Sequence, residues 1–464
     1  MYKNRKFKLS YKLDKRDGLL LGGKKMKKNI IKPSILPGFM ELLPREQKIF
    51  NDIQRKITKV YEENGCLSID TPIIEKAEVL LAKSGGETEK QVYSFEKGKN
   101  NLALRFDLTV PFARYVAQYF NDIVFPFKRY QVGKVYRGER NQKGRYREFY
   151  QFDVDVIGKE KLSISNDAFV ISLASKAFKE IGIENYRFQI SNRKILKGLL
   201  EELEVENSKE VMTLIDKYDK IGKTDFSIEM DKIVDFEKSK AIKSLVEIKG
   251  ESSEVLNELV SLNVNNDKFK EGIEELKKVR DLLLMLGVKE EEFSLDLKII
   301  RGLDYYTGTV FETILVGNEE YGSICSGGRY DNLAENYTNN ILPGVGISIG
   351  LTRLFFVLKE IGFVESYKLD NSLDYLIIPI GYTLEYSCKV MKELERKGAS
   401  VSIYFEEDPL KKKMSYANKL EVKNVVLIGE EEVLNNTIKI KNMISGREEL
   451  IETFVDIILN IPNA

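Results

Sequence analysis

The chain of 464 residues contains no histidine, where roughly ten would be expected at an average usage of about 2%. That absence excludes Ser-His-Asp and Cys-His nucleophilic mechanisms, H-E-x-x-H zinc centres and any general base built on imidazole. Cysteine is scarce too. Cys66, Cys325 and Cys388 lie far apart and are odd in number, which argues against a disulfide framework or a zinc site and makes a reducing cytoplasm the expected compartment. An excess of either charge is also missing. Lys plus Arg number 73, Asp plus Glu 72, and the net charge is +1. No global field therefore draws in DNA, and any basic site must be local. No apolar run reaches the roughly 18 uncharged residues of a membrane span, so no membrane partner is expected.

What remains is a chain 43% hydrophobic and 31% charged, ordinary for a globular protein of about two to four domains. Residues 1–25 are basic and end in Gly22-Gly23-Lys24-Lys25-Met26. Leu19–Leu21 is too short an apolar core for a signal peptide. The stretch back-translates to a purine-rich ribosome-binding site ahead of a start codon, so Met26 is the expected start and 1–25 a non-native or disordered extension. Helical spacing of Ile49, Phe50, Ile53, Ile57, Val60 and Tyr61 predicts a helix over Pro44–Glu63. Residues 101–120 read as a strand running into a helix, and 127–158 as two strands joined by a polar, basic loop. Asn166–Ile181 reads as a helix and 196–292 as a Lys/Glu-rich helical insertion. Strands are expected over Leu297–Val316 and Gly322–Cys325, then a turn, a strand and a helix over 342–362. The last 90 or so residues predict a small α/β unit with largely parallel strands at Tyr375–Ile380, Ser400–Tyr404 and Asn424–Ile428.

Several stretches carry more charge than their pattern needs. Arg137, Arg140, Lys143, Arg145 and Arg147 crowd the loop between the two aromatic strands, with Phe149, Tyr150 and Gln151 directly after it. A solvated turn would account for such a run; arginine forks beside aromatic rings also suit a base and its phosphates. Asp107, Asp153 and Asp155 are carboxylates on apolar strands. Burying them is costly unless they are paired, as with Arg105 or Arg114, or face a cationic ligand such as an α-ammonium group. "RGLDYYTGTVFE" (301–312) puts Arg301, Asp304, Tyr305 and Tyr306 on one predicted strand, where such residues are poor choices without a polar ligand.

Together these stretches resemble the class II aminoacyl-tRNA synthetases, and within them the histidyl-tRNA synthetase family. "TPIIE" (71–75), "VYRGERNQKGRYREFYQ" (135–151) and "GVGISIGLTRL" (344–354) are similar to the three class II motifs. "RGLDYYTGTVFE" and "SGGRYDNL" (326–333) resemble the two signatures specific to the histidine branch. The resemblance implies an α+β fold: a class II synthetase-like antiparallel sheet with flanking helices over 26–192 and 293–366, a helical insertion over 193–292, and a C-terminal α/β anticodon-binding domain over 372–464. It implies ATP-dependent activation of L-histidine and transfer to tRNA(His), with Mg2+ on the phosphates, by a homodimer. A synthetase-like regulatory subunit of ATP phosphoribosyltransferase is the alternative.

The resemblance also implies roles for residues. Arg137 and Arg301 would hold the α-phosphate, and Arg145 the γ-phosphate. Phe149 and Arg353 would enclose adenine, with Glu139 in the same ATP site. Asp107, Thr109 and Gln151 would hold the ammonium and carboxylate of the amino acid. Asp155 and Tyr306 would bond the imidazole, with Tyr305, Gly327, Gly328 and Arg301 lining that pocket. Arg140 and Gln142 would meet the tRNA acceptor end. No resident metal ligand is implied.

Overall fold

A computed structural model describes residues 31–82, 87–140, 143–300, 305–369 and 373–451. The expected extension 1–25, together with Gln142, Arg301, Asp304 and 452–464, lies outside the described residues.

The first helix runs Pro44–Glu63. Proline at its first position costs no hydrogen bond, because that N–H would be unsatisfied anyway. Ile49, Phe50, Ile53, Ile57, Val60 and Tyr61 fill its buried face. Strands then follow as β1 Leu67–Ser68, β2 Ile74–Lys76, β3 Ser94–Lys97, β4 Asn100–Leu104, β5 Phe127–Tyr136, β6 Glu148–Ile157, β7 Tyr186–Asn192, β8 Phe293–Leu295, β9 Thr309–Leu315, β10 Cys325–Tyr330 and β11 Gly344–Ile349. β2, β4 and β3 form a small antiparallel sheet. The other eight form one sheet in the order β1-β5-β6-β11-β10-β9-β7-β8. Its interior pairs are antiparallel, and only β1 with β5 and β7 with β8 run parallel.

Period-two alternation gives this sheet two unlike faces. Phe152, Val154, Val156, Val345, Ile347, Phe311, Phe188 and Ile190 point to one side and join the main core. The helices Pro44–Glu63 and Ser165–Ile181 contribute to that core, as do helices between Arg193 and Met285. Within that helical stretch, Gly198 and Gly272 let the helices Arg193–Glu202 and Asp267–Met285 approach closely. A methyl at Gly198 would press on the Phe269 backbone, and one at Gly272 on Ile195.

Two predicted strands are displaced. The one expected over Leu297–Val316 begins only at Thr309, so Tyr305 and Tyr306 sit on the loop before it. That loop is tied down by backbone bonds from Thr307 N–H to the Arg329 carbonyl, 2.8 Å, and from Arg193 N–H to the Gly308 carbonyl, 2.9 Å. The strand expected at Gly322–Cys325 starts at Cys325 and carries Gly327 and Gly328 in its interior.

The last sheet comprises β12 Tyr375–Pro379, β13 Val401–Ile403, β14 Asn424–Ile428, β15 Ile438–Asn442 and β16 Glu448–Ile451. The first three are parallel as expected. β15 and β16 add two antiparallel strands that the sequence reading did not include.

Candidate active site

The long hairpin β5–β6 builds most of the site. Its register pairs Tyr136 with Glu148 and Phe127 with Ile157. Arg129, Gln131, Gly133 and Val135 therefore share a face with Phe149, Gln151, Asp153 and Asp155. β11 continues that face with Gly344, Gly346 and Ser348, and β10 with Ser326, Gly328 and Tyr330. Glycine recurs there because space is needed. A methyl at Gly346 would overlap the Asp155 carboxylate, and one at Gly344 the Tyr330 ring.

At the hairpin's loop end, the Arg137 backbone N–H bonds to the Arg147 carbonyl at 2.9 Å. Its Nε donates to the Phe106 carbonyl at 3.3 Å, and its guanidinium lies 4.3 Å from the Phe106 ring centre and 5.1 Å from that of Phe149. Arg145 meets Glu139 at 3.4 Å. Arg353 donates to the carbonyls of Gly144, 3.2 Å, and Ser323, 3.0 Å. Burial pulls its pKa down and Arg145 adds to that, while Glu139 and Glu312 oppose it. Arginines and carboxylates thus share one patch. Arg140 is exposed on the loop. In this arrangement Arg137, rather than Arg353, covers the Phe149 ring.

The site also holds carboxylates. Asp107 accepts the Val110 N–H at 2.9 Å, at the start of the helix Thr109–Gln118. Burial raises its pKa, opposed by that amide and by Arg137. Gln151 Nε2 donates to Ser348 Oγ at 2.8 Å. Asp155 pairs with Arg129 at 2.7 Å and accepts the Tyr330 hydroxyl at 2.7 Å. Burial still pushes the Asp155 carboxyl up, with Arg129 and Tyr330 holding it down. The rings of Tyr305 and Tyr306 meet at 4.9 Å, and that of Tyr305 lies 6.0 Å from Tyr330. The carboxylates of Asp155, Asp153 and Asp107 surround Tyr306 closely enough to push its phenol pKa up, after burial itself.

Most of the described candidate residues thus gather about one side of one sheet, with Arg137, Arg145, Arg353 and Phe149 toward the hairpin loop, Asp155 with Arg129 farther along, and Asp107 within electrostatic reach of both Arg137 and Arg129. Gly327 does not. It points to the apolar face, where a methyl would strike the Phe311 ring and the Gly346 carbonyl. Only Gly328 opens toward Tyr306; strand alternation cannot send neighbours the same way. The pairing of the aspartates with Arg105 or Arg114, one of the two alternatives, is not what is seen. Arg105 lies 3.6 Å from Asp70, and Arg114 pairs with Glu75 at 2.5 Å. The partner of Asp155 is Arg129, which sequence reasoning missed. The signal was present: closing the hairpin at Tyr136 and Glu148 places Arg129 opposite Asp155 by counting back. Tyr330 and Ser348 were missed because each depends on a different strand.

Comparison with known proteins adds to this geometry. Residues 38–354 match the family model described as histidyl-tRNA synthetase, and 374–460 match an anticodon-binding domain. A histidine–tRNA ligase of Clostridium acetobutylicum is 62% identical, over 91% of this chain and 98% of its own length. One from Clostridium tetani is 50% identical, over 94% of this chain and 100% of its own. The crystal structure of histidyl-tRNA synthetase from Nostoc sp. PCC 7120 aligns with a TM-score of 0.83 at 35% identity, covering 93% of this chain and 100% of that one.

Proposed function

The chain belongs to the histidyl-tRNA synthetase family, and from that membership we propose how its site performs the family's reaction. The activity is that of a histidine–tRNA ligase, and the family uses ATP. A regulatory-subunit reading is not favoured, since the relatives at 62% and 50% identity are ligases and an anticodon-binding domain is present.

We propose that the histidine carboxylate attacks the α-phosphorus of ATP, releasing pyrophosphate, and that the acyl group then passes to the terminal ribose of tRNA(His). The nucleophile is already ionised, so the first step needs no general base, which suits a chain without histidine. Alignment and charge stabilisation supply the rate. Arg137, oriented by the Phe106 carbonyl, takes the α-phosphate; Arg301 takes it from the other side, on sequence resemblance. Arg145, Phe149, Arg353 and Glu139 hold the rest of ATP, with Arg353 turning from its two carbonyls onto the base. Asp107, Thr109 and Gln151 hold the amino-acid backbone. Tyr306 and Asp155 read the ring, beside Tyr305 and Gly328. Arg140 and Gln142 meet the acceptor end.

Among the described residues no group of three or more carboxylates could cage a metal. Mg2+ normally takes one or two carboxylates plus phosphates, and Glu139 and Glu312, both close to Arg353, fit that need. Bound there, Mg2+ would neutralise phosphate charge. The domain division given by the resemblance, the homodimer and the cytoplasmic location belong to the same proposal. No helix among the described residues is long and apolar enough to cross a membrane.

The observation that carries the reading is the shared face on which Arg137 and Phe149 lie toward the hairpin loop and the buried Asp155 farther along the strand. Histidine-dependent ATP–pyrophosphate exchange by purified protein tests it. Exchange with histidine alone among the twenty amino acids is expected; its absence overturns the assignment.

A further inference from the structure

Asp153 has no place in the roles assigned above, yet it is as buried as Asp155, each 2% exposed. The two lie two residues apart on the same face of β6, and one guanidinium, that of Arg129, faces both. Arg129 is committed to Asp155 at 2.7 Å. It is itself fully buried, 4.2 Å from the Phe112 ring centre; the ion pair lacks hydrogen-bond geometry, so Nε, Nη1 and Nη2 all lack hydrogen-bond partners. Asp153 Oδ1 has no partner either, nor has the amide oxygen of its neighbour Gln151. Polar atoms buried and unsatisfied in this number are rare unless something arrives to satisfy them.

The other groups around Asp153 do not supply the missing positive charge. From β11, Ser348 offers it a hydroxyl. Asp107, before the helix Thr109–Gln118, adds negative charge, and Tyr306 from its loop is a neutral phenol. Arg105 and Arg137 are within electrostatic reach, but the first holds the Thr71 and Lys134 carbonyls and the second lies between Phe106 and Phe149. From the apolar face, Cys325 and Tyr61 are uncharged, their pKa values raised by burial. The guanidinium that faces both Asp153 and Asp155 thus pairs with Asp155 alone, and Asp153 is left without an ion-pair partner of its own. Burial, opposed by Arg129 and aided by the like charge of Asp155, pushes the Asp153 carboxyl up to about 7.

Resting on the reading of this floor as the imidazole pocket, we propose that Asp153 and Asp155 together bind the substrate ring as imidazolium, making Asp153 a specificity-determining residue. A cation between the two carboxylates is attracted by both, whereas a proton on Asp153 neutralises only one. The ring therefore keeps its proton, and histidine supplies the cation that faces Asp153.

The absence of histidine from the chain makes the test direct, because every imidazole signal comes from ligand. The full-length protein is titrated with 15N-labelled L-histidine, and the ring nitrogen shifts are followed against pH by NMR. In the complex, the midpoint for ring deprotonation is expected at least one pH unit above that of free histidine. Asp153→Asn is expected to bring it back by about one unit. A bound ring that titrates at or below the free value in the unaltered protein overturns the proposal without any variant having to fold. Failure to observe bound histidine at all would instead overturn the assignment of the pocket.

Discussion

Along β6, Phe152, Val154 and Val156 point one way and Gln151, Asp153 and Asp155 the other. The first set packs into the main core at 0% exposure. The second is nearly as buried but sits among unpartnered oxygens and nitrogens, glycines that make room for larger neighbours, and carboxylates whose pKa values burial has raised. Both faces hang on the same backbone hydrogen bonds. One side holds the sheet in place by removing apolar area from water. The other carries a standing electrostatic cost, of the kind a bound polar ligand offsets. Stability and recognition are thus separated by one residue of sequence.

Substitutions on the two sides should behave oppositely. Arg137→Ala is expected to lower pyrophosphate exchange by about 10³-fold or more while leaving the denaturation midpoint unchanged; a parallel fall in stability would break the contrast. Phe152→Ala, one face over, should cost about 3–4 kcal/mol in denaturant unfolding yet leave KM for histidine and ATP unaltered in the protein that remains folded.

Asp153→Asn sharpens the comparison further, because it should stabilise. Burial pushes the folded carboxyl up to about 7 from an ordinary value of 3.8, so between those limits the folded chain binds more protons than the unfolded one. Stability from this group is complete below about pH 4 and is lost as pH rises through about 7. The variant should therefore exceed the parent by about 1–3 kcal/mol near pH 8 and match it near pH 4, in denaturant melts at the two pH values. At the small end is the exposed Arg45–Glu421 pair, 3.2 Å apart and on neither face. Glu421→Gln should change stability by less than about 1 kcal/mol and exchange not at all.

The long helices and the β5–β6 hairpin were legible in sequence, because helical spacing and period-two alternation act locally. The charged strand residues announced a polar site for the same reason: Asp153 and Asp155 break an otherwise apolar run. What escaped depended on partners brought in by topology. Tyr330 reaches Asp155 from a strand two places away in the sheet, and nothing near either residue marks the pairing. The direction of Gly327 was misjudged because two adjacent glycines look alike until a register is fixed. The start of β9 was misplaced because apolar and aromatic residues on both sides of 301–308 mimic a continuous strand.

The alternation in β6 also bears on how the gene can change. Phe149, Gln151, Asp153 and Asp155 mark off the site at about 7 Å intervals, two residues per step. Substitution can adjust any one mark. A codon lost or gained inside the strand would do something different: it would rotate every mark beyond it to the opposite side, sending carboxylates into the core and valines into the site. Length variation among descendants of this sequence should therefore gather in the basic loop 138–147 and spare the strand, which behaves less like a scaffold than like a ruler whose graduations cannot be moved singly.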